Sequence, residues 1–263
     1  MTHDVSDQNL DSLKAQVAAA SWHHDFEILP GLWTNGTYRP HGLLERLGLP
    51  DDLRGQSLAD VGASNGFYSL EAWRRGARVT AYDYRTAEDS LFGLAARVAG
   101  AAGRIAYKRT NVLDIEPRTE GTFDHVLCLG VLYHTPDPVK ALANCLAMTA
   151  EGGLIYLESY CIDNAFILPD GSIVRLDDLD PRLARVPLLQ YLPDPRREGA
   201  NMPWSDYSNF VGPNSQFLQK VLEDFGFQVE MLQVVAERVV IRARSTGGDA
   251  MSRSRAQAAY GLF

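Results

Sequence analysis

From residue 57 onward the chain alternates strand-like and helix-like runs, and it closes on two apolar runs parted by only two residues. SLADV (57–61), ARVTAYDY (77–84), RIAYKRTNV (104–112), FDHVLCLG (123–130) and LIYLESY (154–160) read as strands. Between them FYSLEAWRRG (67–76), SLFGLAARVAG (90–100) and VKALANCLAMTA (139–150) read as helices, the last opened by Asp137-Pro138 in the order N-cap then N1 proline. Strands alternating with helices imply parallel pairing with right-handed crossovers. After a helix at FLQKVLEDFGF (217–227), VEMLQVV and RVVIRAR are joined by Ala236-Glu237 alone. A link that short permits only an antiparallel hairpin. The expectation is an α/β chain with a seven-stranded sheet: five parallel strands, then a C-terminal hairpin that supplies one antiparallel strand.

The flanks do not follow this rhythm. Residues 1–50 are expected to form a helical N-terminal cap. In it Leu10, Leu13 and Val17 share one helical face, an irregular aromatic stretch runs over SWHHDFEILPGLWTNGTYRPHG, and a short helix occupies HGLLERLGL. Residues 51–160 and 212–245 make the core, and residues 246–263 read as a mobile tail. Residues 161–211 interrupt the core with Asp and Pro clusters and carry Phe166, Tyr191, Trp204, Tyr207 and Phe210. An insertion that long in a compact domain is usually a functional lid or a partner surface; here a substrate lid is expected.

Bulk properties remove several function classes. The formal net charge is −8, and lysine occurs only at positions 14, 108, 140 and 220. Proteins that grip nucleic acid carry a basic face, because phosphate neutralisation supplies most of the affinity, so a nucleic-acid partner is not expected. No apolar run nears the roughly 20 residues that span a bilayer, and the first residues lack the basic and apolar regions of a signal peptide, so a cytoplasmic setting is expected. Cys128, Cys145 and Cys161 share no metal-ligand spacing and read as buried free thiols. No metal site is expected, and a homodimer is left open.

Gly62-Ala63-Ser64-Asn65-Gly66, between the first strand and its helix, satisfies two incompatible patterns. One is the G-x-S-x-G nucleophile elbow of serine hydrolases. That reading needs a histidine late in the chain, yet only His125 and His134 follow Ser64, and both lie at or next to the fourth strand. No H-G-G-G stretch supplies an oxyanion hole either, so the hydrolase reading falls. The other pattern is a glycine-rich turn that cradles a nucleotide-like ligand at the carboxyl end of a parallel strand. Asp83 ends the second strand, about 20 residues downstream, where a carboxylate can accept hydrogen bonds from both ribose hydroxyls. Asp60, just before the loop, would repel a phosphate and suits a ligand that bears an amino group.

D-V-G-A-S-N-G-F resembles motif I of class I S-adenosylmethionine (SAM)-dependent methyltransferases, D/E-x-G-x-G-x-G, with Ser64 in place of the middle glycine. The resemblance covers roughly residues 55–160 and 215–244. More narrowly, LGVLYHTPDP is similar to the LGVLYH segment of the tRNA wobble-uridine carboxymethyltransferase-like methyltransferases, as is, more weakly, the aromatic segment before the core. The resemblance implies a Rossmann-like sheet, SAM as cofactor, and a role for each matching residue. Gly62, Ala63, Ser64, Gly66 and Phe67 would shape the loop around the aminoacyl end of SAM, with Asp60 receiving its ammonium. Asp83 and Tyr84 would take the ribose side, and Asn111 and Val112 the adenine. Leu129, Gly130 and Tyr133 would lie at the methyl end, with Trp33 and Tyr38 covering the cofactor. Tyr133 and His134 are the catalytic candidates; Arg238, Trp204, Tyr207 and Phe210 are the acceptor-binding ones.

Two departures bear on the chemistry. The family's lysine ahead of the aromatic segment has no counterpart in Trp22-His23-His24-Asp25, and a second lysine is replaced near Tyr38, so plain SAM rather than carboxylated SAM is expected. The long insertion and acidic balance also depart from a tRNA enzyme. The expected activity is methyl transfer from SAM to an O or N atom of a small, partly aromatic molecule, in secondary metabolism. The alternative is methylation or carboxymethylation of the tRNA wobble uridine.

Overall fold

Ser57–Val61 (β1) is buried from Leu58 onward, as a strand covered on both faces must be. It pairs in parallel with Arg78–Asp83 (β2), which pairs in parallel with Ala106–Arg109 (β3). Phe123–Leu129 (β4) pairs in parallel with Thr149–Tyr160 (β5). At the end of the chain Phe227–Val235 (β6) and Arg238–Ser245 (β7) form the hairpin, with Val235 opposite Arg238, and β7 runs antiparallel to β5 as well. The seven strands share one sheet in the order β6-β7-β5-β4-β1-β2-β3. This computed structural model describes residues 7–163, 165–192 and 208–247. Trp204 and Tyr207, named above as acceptor-binding candidates, lie outside the described residues, as does most of the expected tail.

The chain divides into two compact units, one reaching Asp114 and one starting at Ile115. Among its described residues the first unit holds four α-helices: Asp7–Ala19 (α1), His41–Leu47 (α2), Phe67–Arg74 (α3) and Phe92–Val98 (α4). Leu13 and Val17 of α1 are buried, as their shared face requires. The second unit holds Pro138–Ala147 (α5) and Ser215–Asp224 (α6). Asp137 caps α5 by accepting the Lys140 N–H, and Asn214 caps α6 by accepting that of Phe217. Among the described residues no helix is long and apolar enough to cross a membrane.

Several boundaries differ from the sequence reading, each for a local reason. The N-terminal segment is not wholly helical: Glu27–Leu29 and Leu32–Trp33 form a small antiparallel pair around Pro30-Gly31. β3 stops at Arg109; the Thr110 N–H still donates to the Asp83 carbonyl, and the chain then enters a 3-10 turn that the Asn111 side chain caps by accepting from Leu113 N–H. β5 begins five residues early, at Thr149, which pairs with Phe123 before a register shift restores His125 opposite Leu154. The insertion contains a hairpin of Ala165–Ile167 with Ile173–Arg175, and Leu189–Tyr191 pairs with Val211–Pro213. It is tied to the start of α6 by Asp163, whose carboxylate accepts from both the N–H and the hydroxyl of Ser215.

The N-terminal aromatic segment folds back on itself with little clearance. Asp25 N–H donates to the Tyr38 carbonyl, and a Cβ at Gly36 would stand 2.3 Å from the carbonyl carbon of His24. That neighbour is backbone, which cannot swing aside. Gly36→Ala is therefore expected to cost about 1–3 kcal/mol, the usual range for forced overpacking. A urea titration should show a lower midpoint at unchanged slope; an unaltered midpoint would contradict the close approach.

Candidate functional site

In the first unit the loop after β1 is built from backbone held by the end of β2. Gly62 and Ala63 N–H both donate to the Tyr82 carbonyl, at 2.8 and 3.0 Å, and Ser64 N–H donates to Asp83 Oδ2 at 2.9 Å. Ser64 lies at φ +49, the left-handed region where its relatives' glycine would sit without cost. Gly66, at φ +89, starts α3, and a Cβ there would meet the Phe92 ring at 2.8 Å. The hydrolase reading finds no support in this geometry: the Ser64 hydroxyl is met by Arg85 Nη2 at 3.4 Å.

Two buried carboxylates flank the loop. Asp60 accepts the Ser69 hydroxyl at 2.6 Å, and burial pushes its carboxyl up to about 6; Ser69 opposes the shift and the nearby Asp83 charge adds to it. Asp83 accepts Ser64 N–H and three N–H groups of Arg85, its backbone, Nε and Nη2, at 3.0, 3.2 and 3.4 Å. Asn65, buried in the same loop, accepts from His23 and His24 N–H at 2.8 and 3.1 Å and donates to the Ser90 carbonyl at 2.6 Å. That side chain ties the aromatic segment to the loop.

The other predicted residues of this unit divide by exposure. Trp33 and Tyr38 are each about two-fifths exposed, at 41% and 38%, and Tyr84 is two-thirds exposed at 66%, so all three have ring surface to offer. Tyr38 stacks on His23 at 5.9 Å, and Trp33 lies 6.2 Å from His41. Phe67 is different. Its ring is buried among Phe26, His41 and Tyr68, so only its backbone is left for a ligand. Ala63 is likewise buried, and Asn111 and Val112 form the turn after β3. His24 is held well below the usual histidine range, near 3, first by burial and then by His23 and Arg85, so it stays neutral.

In the second unit Leu129 and Gly130 end β4, and Gly130 N–H donates to the Glu158 carbonyl at 2.9 Å. Tyr133 is buried, and its hydroxyl accepts from Arg238 Nη2 at 3.1 Å while the guanidinium lies 5.0 Å from the ring centroid. Arg238 also pairs with the buried Glu158, Nε to Oε1 at 2.6 Å. Two tyrosines and an ion pair therefore gather here, since the Tyr160 ring lies 6.3 Å from that of Tyr133. His134 Nδ1 stands 2.9 Å from the Ser208 hydroxyl and 3.2 Å from its carbonyl oxygen. A proton on Nδ1 serves that carbonyl and makes Nε2 the basic nitrogen. Phe210, which faces Tyr191 edge-on at 6.5 Å, donates its N–H to the Tyr133 carbonyl at 2.8 Å and so links the insertion to this loop.

Sequence reasoning missed Arg85, Asn65, Glu158 and Ser208. Arg85 carries a legible signal, since an arginine two residues beyond a strand-end aspartate lies within reach of it. Glu158, an acid inside an apolar strand, asks for a partner, but only the β5–β7 register identifies it as Arg238. Among the described residues no group of three or more His, Cys, Asp or Glu side chains could hold a metal ion.

Comparison with known proteins agrees with this geometry. Residues 59–157 match the methyltransferase domain family. A ubiquinone biosynthesis O-methyltransferase from Xanthomonas oryzae pv. oryzae is 30% identical over 158 residues, covering 55% of this chain and 64% of the relative. The chain thus spans a little under two thirds of that relative's length. A tRNA U34 carboxymethyltransferase from Campylobacter curvus is 33% identical over 113 residues, covering 43% of this chain and 37% of the relative. The N-terminal domain of EvdMO1, solved with SAH bound, superposes with a TM-score of 0.60 at 19% identity, over 93% of this chain and 98% of that domain. Residues 59–157 thus match a methyltransferase domain family, and the chain shares its fold with the SAH-bound N-terminal domain of EvdMO1.

The left-handed backbone at Ser64 gives a stability test. A β-branched side chain is disfavoured there, so Ser64→Val should cost about 1–2 kcal/mol while Ser64→Gly is neutral or stabilising. Equal denaturation midpoints for the two variants would contradict the assigned conformation.

Proposed function

We propose that this chain, built around a methyltransferase domain, uses SAM to methylate an O or N atom of a small, partly aromatic molecule, in secondary metabolism. The observation that carries the cofactor half is the Asp83 carboxylate, fixed at the end of β2 by two backbone N–H groups, beside a thin loop that starts with the buried Asp60. In this reading Asp60 receives the cofactor's ammonium, Asp83 its ribose hydroxyls, and Asn111 with the Val112 backbone its adenine. Trp33, Tyr38 and Tyr84 cover it, and Leu129, Gly130 and Tyr133 border the methyl end. The small-molecule reading draws on the net charge of −8 and on the aromatic pair Tyr191 and Phe210 of the insertion. The relatedness to a protein named for ubiquinone biosynthesis supports it.

SAM supplies a methyl group already activated on a sulfonium. The chain's own task is to align an acceptor and exclude water, and alignment can lower a barrier by about 7–11 kcal/mol at best. Arg238 is held by Glu158 so that one amino group meets the Tyr133 hydroxyl, and in this reading that hydroxyl helps to position the acceptor. For an acceptor that must lose a proton, His134 takes it at Nε2, with Ser208 setting the tautomer. The tRNA reading draws on the Campylobacter relative and on LGVLYH; a gel-shift titration against tRNA at low salt separates the two, since RNA binding would favour it.

Calorimetric titration with SAM or SAH tests the cofactor reading. Asp83→Ala should weaken binding tenfold or more, because hydrogen bonds to a charged group are worth about 1.5–3 kcal/mol. No binding to the wild type, or equal binding to the variant, would overturn it. The affinity should also depend on pH. The raised Asp60 pKa leaves its carboxyl protonated below about 6, and an ammonium prefers the ionised form, so affinity should climb as pH rises through 6. Asp60→Asn should flatten that profile; a flat wild-type profile between about pH 5 and 7 would remove Asp60 from the ammonium role.

A further inference from the structure

Asp83 presents two oxygens with about four lone-pair directions between them. Four N–H groups already point at those oxygens: Ser64 N and Arg85 Nη2 on Oδ2, Arg85 N and Arg85 Nε on Oδ1. A ribose diol that is to take both oxygens must therefore displace two of the four. The two backbone donors are fixed by the loop and by the chain itself, whatever side chain stands at position 85. The guanidinium is the group that can leave. Its side chain is 33% exposed, against 3% for that of Asp83, so it can swing into water. The same guanidinium stands 5.5 Å from the Tyr84 ring centroid and 3.4 Å from the Ser64 hydroxyl. It thus covers the ribose carboxylate and the exposed aromatic face next to it at once.

We infer that Arg85 is a displaceable plug over the nucleoside half of the cofactor site, an affinity-tuning residue that competes with the ribose for Asp83. This rests on the reading of Asp83 as the ribose-binding carboxylate. Without ligand the guanidinium balances a buried charge; with ligand it yields its two bonds to the diol hydroxyls. The competition taxes every nucleoside-bearing ligand alike, SAM and its demethylated product included. Arg85 is not needed to aim the carboxylate, because Ser64 N–H and the residue 85 N–H do so.

The test is binding of SAH and of adenosine to the wild type, Arg85→Gln and Arg85→Lys, with unliganded melting curves to confirm folding. If the plug is released in about one molecule in three to ten, Arg85→Gln should bind SAH roughly three- to tenfold tighter, mostly through faster association. Adenosine should gain by the same factor, since it lacks the aminoacyl end, and adding Asp83→Ala should abolish the gain. Arg85→Lys, which keeps the charge but loses the fork, should fall between wild type and Arg85→Gln, and it decides the matter if the glutamine variant fails to fold. Unchanged or weaker SAH binding in a folded Arg85 variant, with Asp83→Ala still impaired, overturns the plug while leaving the cofactor reading intact. Absence of SAH and adenosine binding in the wild type would instead overturn the cofactor reading, and the plug with it.

Discussion

Three consecutive backbone N–H groups, those of Gly62, Ala63 and Ser64, are all donated to the last two residues of β2. This small zip fixes the loop after β1 against the neighbouring strand before any side chain of the loop is considered. It forces Ser64 into the left-handed region and leaves Gly66 to start α3 where the Phe92 ring admits no Cβ. It also gives Asp83 a structural task, since one carboxylate oxygen anchors the loop. Asn65, carried on that fixed backbone, then holds the aromatic segment through the N–H groups of His23 and His24.

Three of the buried carboxylates, Asp60, Asp83 and Glu158, lie in strands of the sheet, and each is compensated differently. Asp60 has one hydroxyl partner, Ser69, and its pKa rises accordingly. Asp83 is surrounded by N–H donors and an arginine that can leave. Glu158 is locked to Arg238, which also donates to the Tyr133 hydroxyl. A carboxylate with weak compensation is ready for a cationic ligand group. One whose donors are partly mobile is ready to accept hydroxyls. One that is permanently paired positions something else. The differences follow from burial and partner geometry rather than from residue type, for all three are ordinary acids in strands.

Much of the fold was legible. The alternating strand and helix runs, the two-residue link at Ala236-Glu237 and the cap at Asp137 depend on local chemistry that any fold must satisfy, and they appear where expected. Boundaries were less legible where a side-chain cap turns the chain out of a strand, as at Asn111, or where a register shift extends one, as at Thr149. In the site, Phe67 shows the limit in the other direction. Its place after the motif suggested a ligand contact, yet its ring is committed to a cluster of aromatic side chains from the N-terminal segment.

The sequence by itself determined the order of strands and helices, the direction of the closing hairpin, and the residue types at each strand end, because these follow from periodicity, turn length and backbone preference. Only the tertiary structure decided which groups meet: Arg85 across Asp83 and Ser64, Asn65 beneath His23 and His24, Glu158 beside Arg238, and Ser208 on His134. Except where the two lie within a turn, such pairings join residues far apart in the chain. They are set by strand register and chain reversal, which no local pattern encodes.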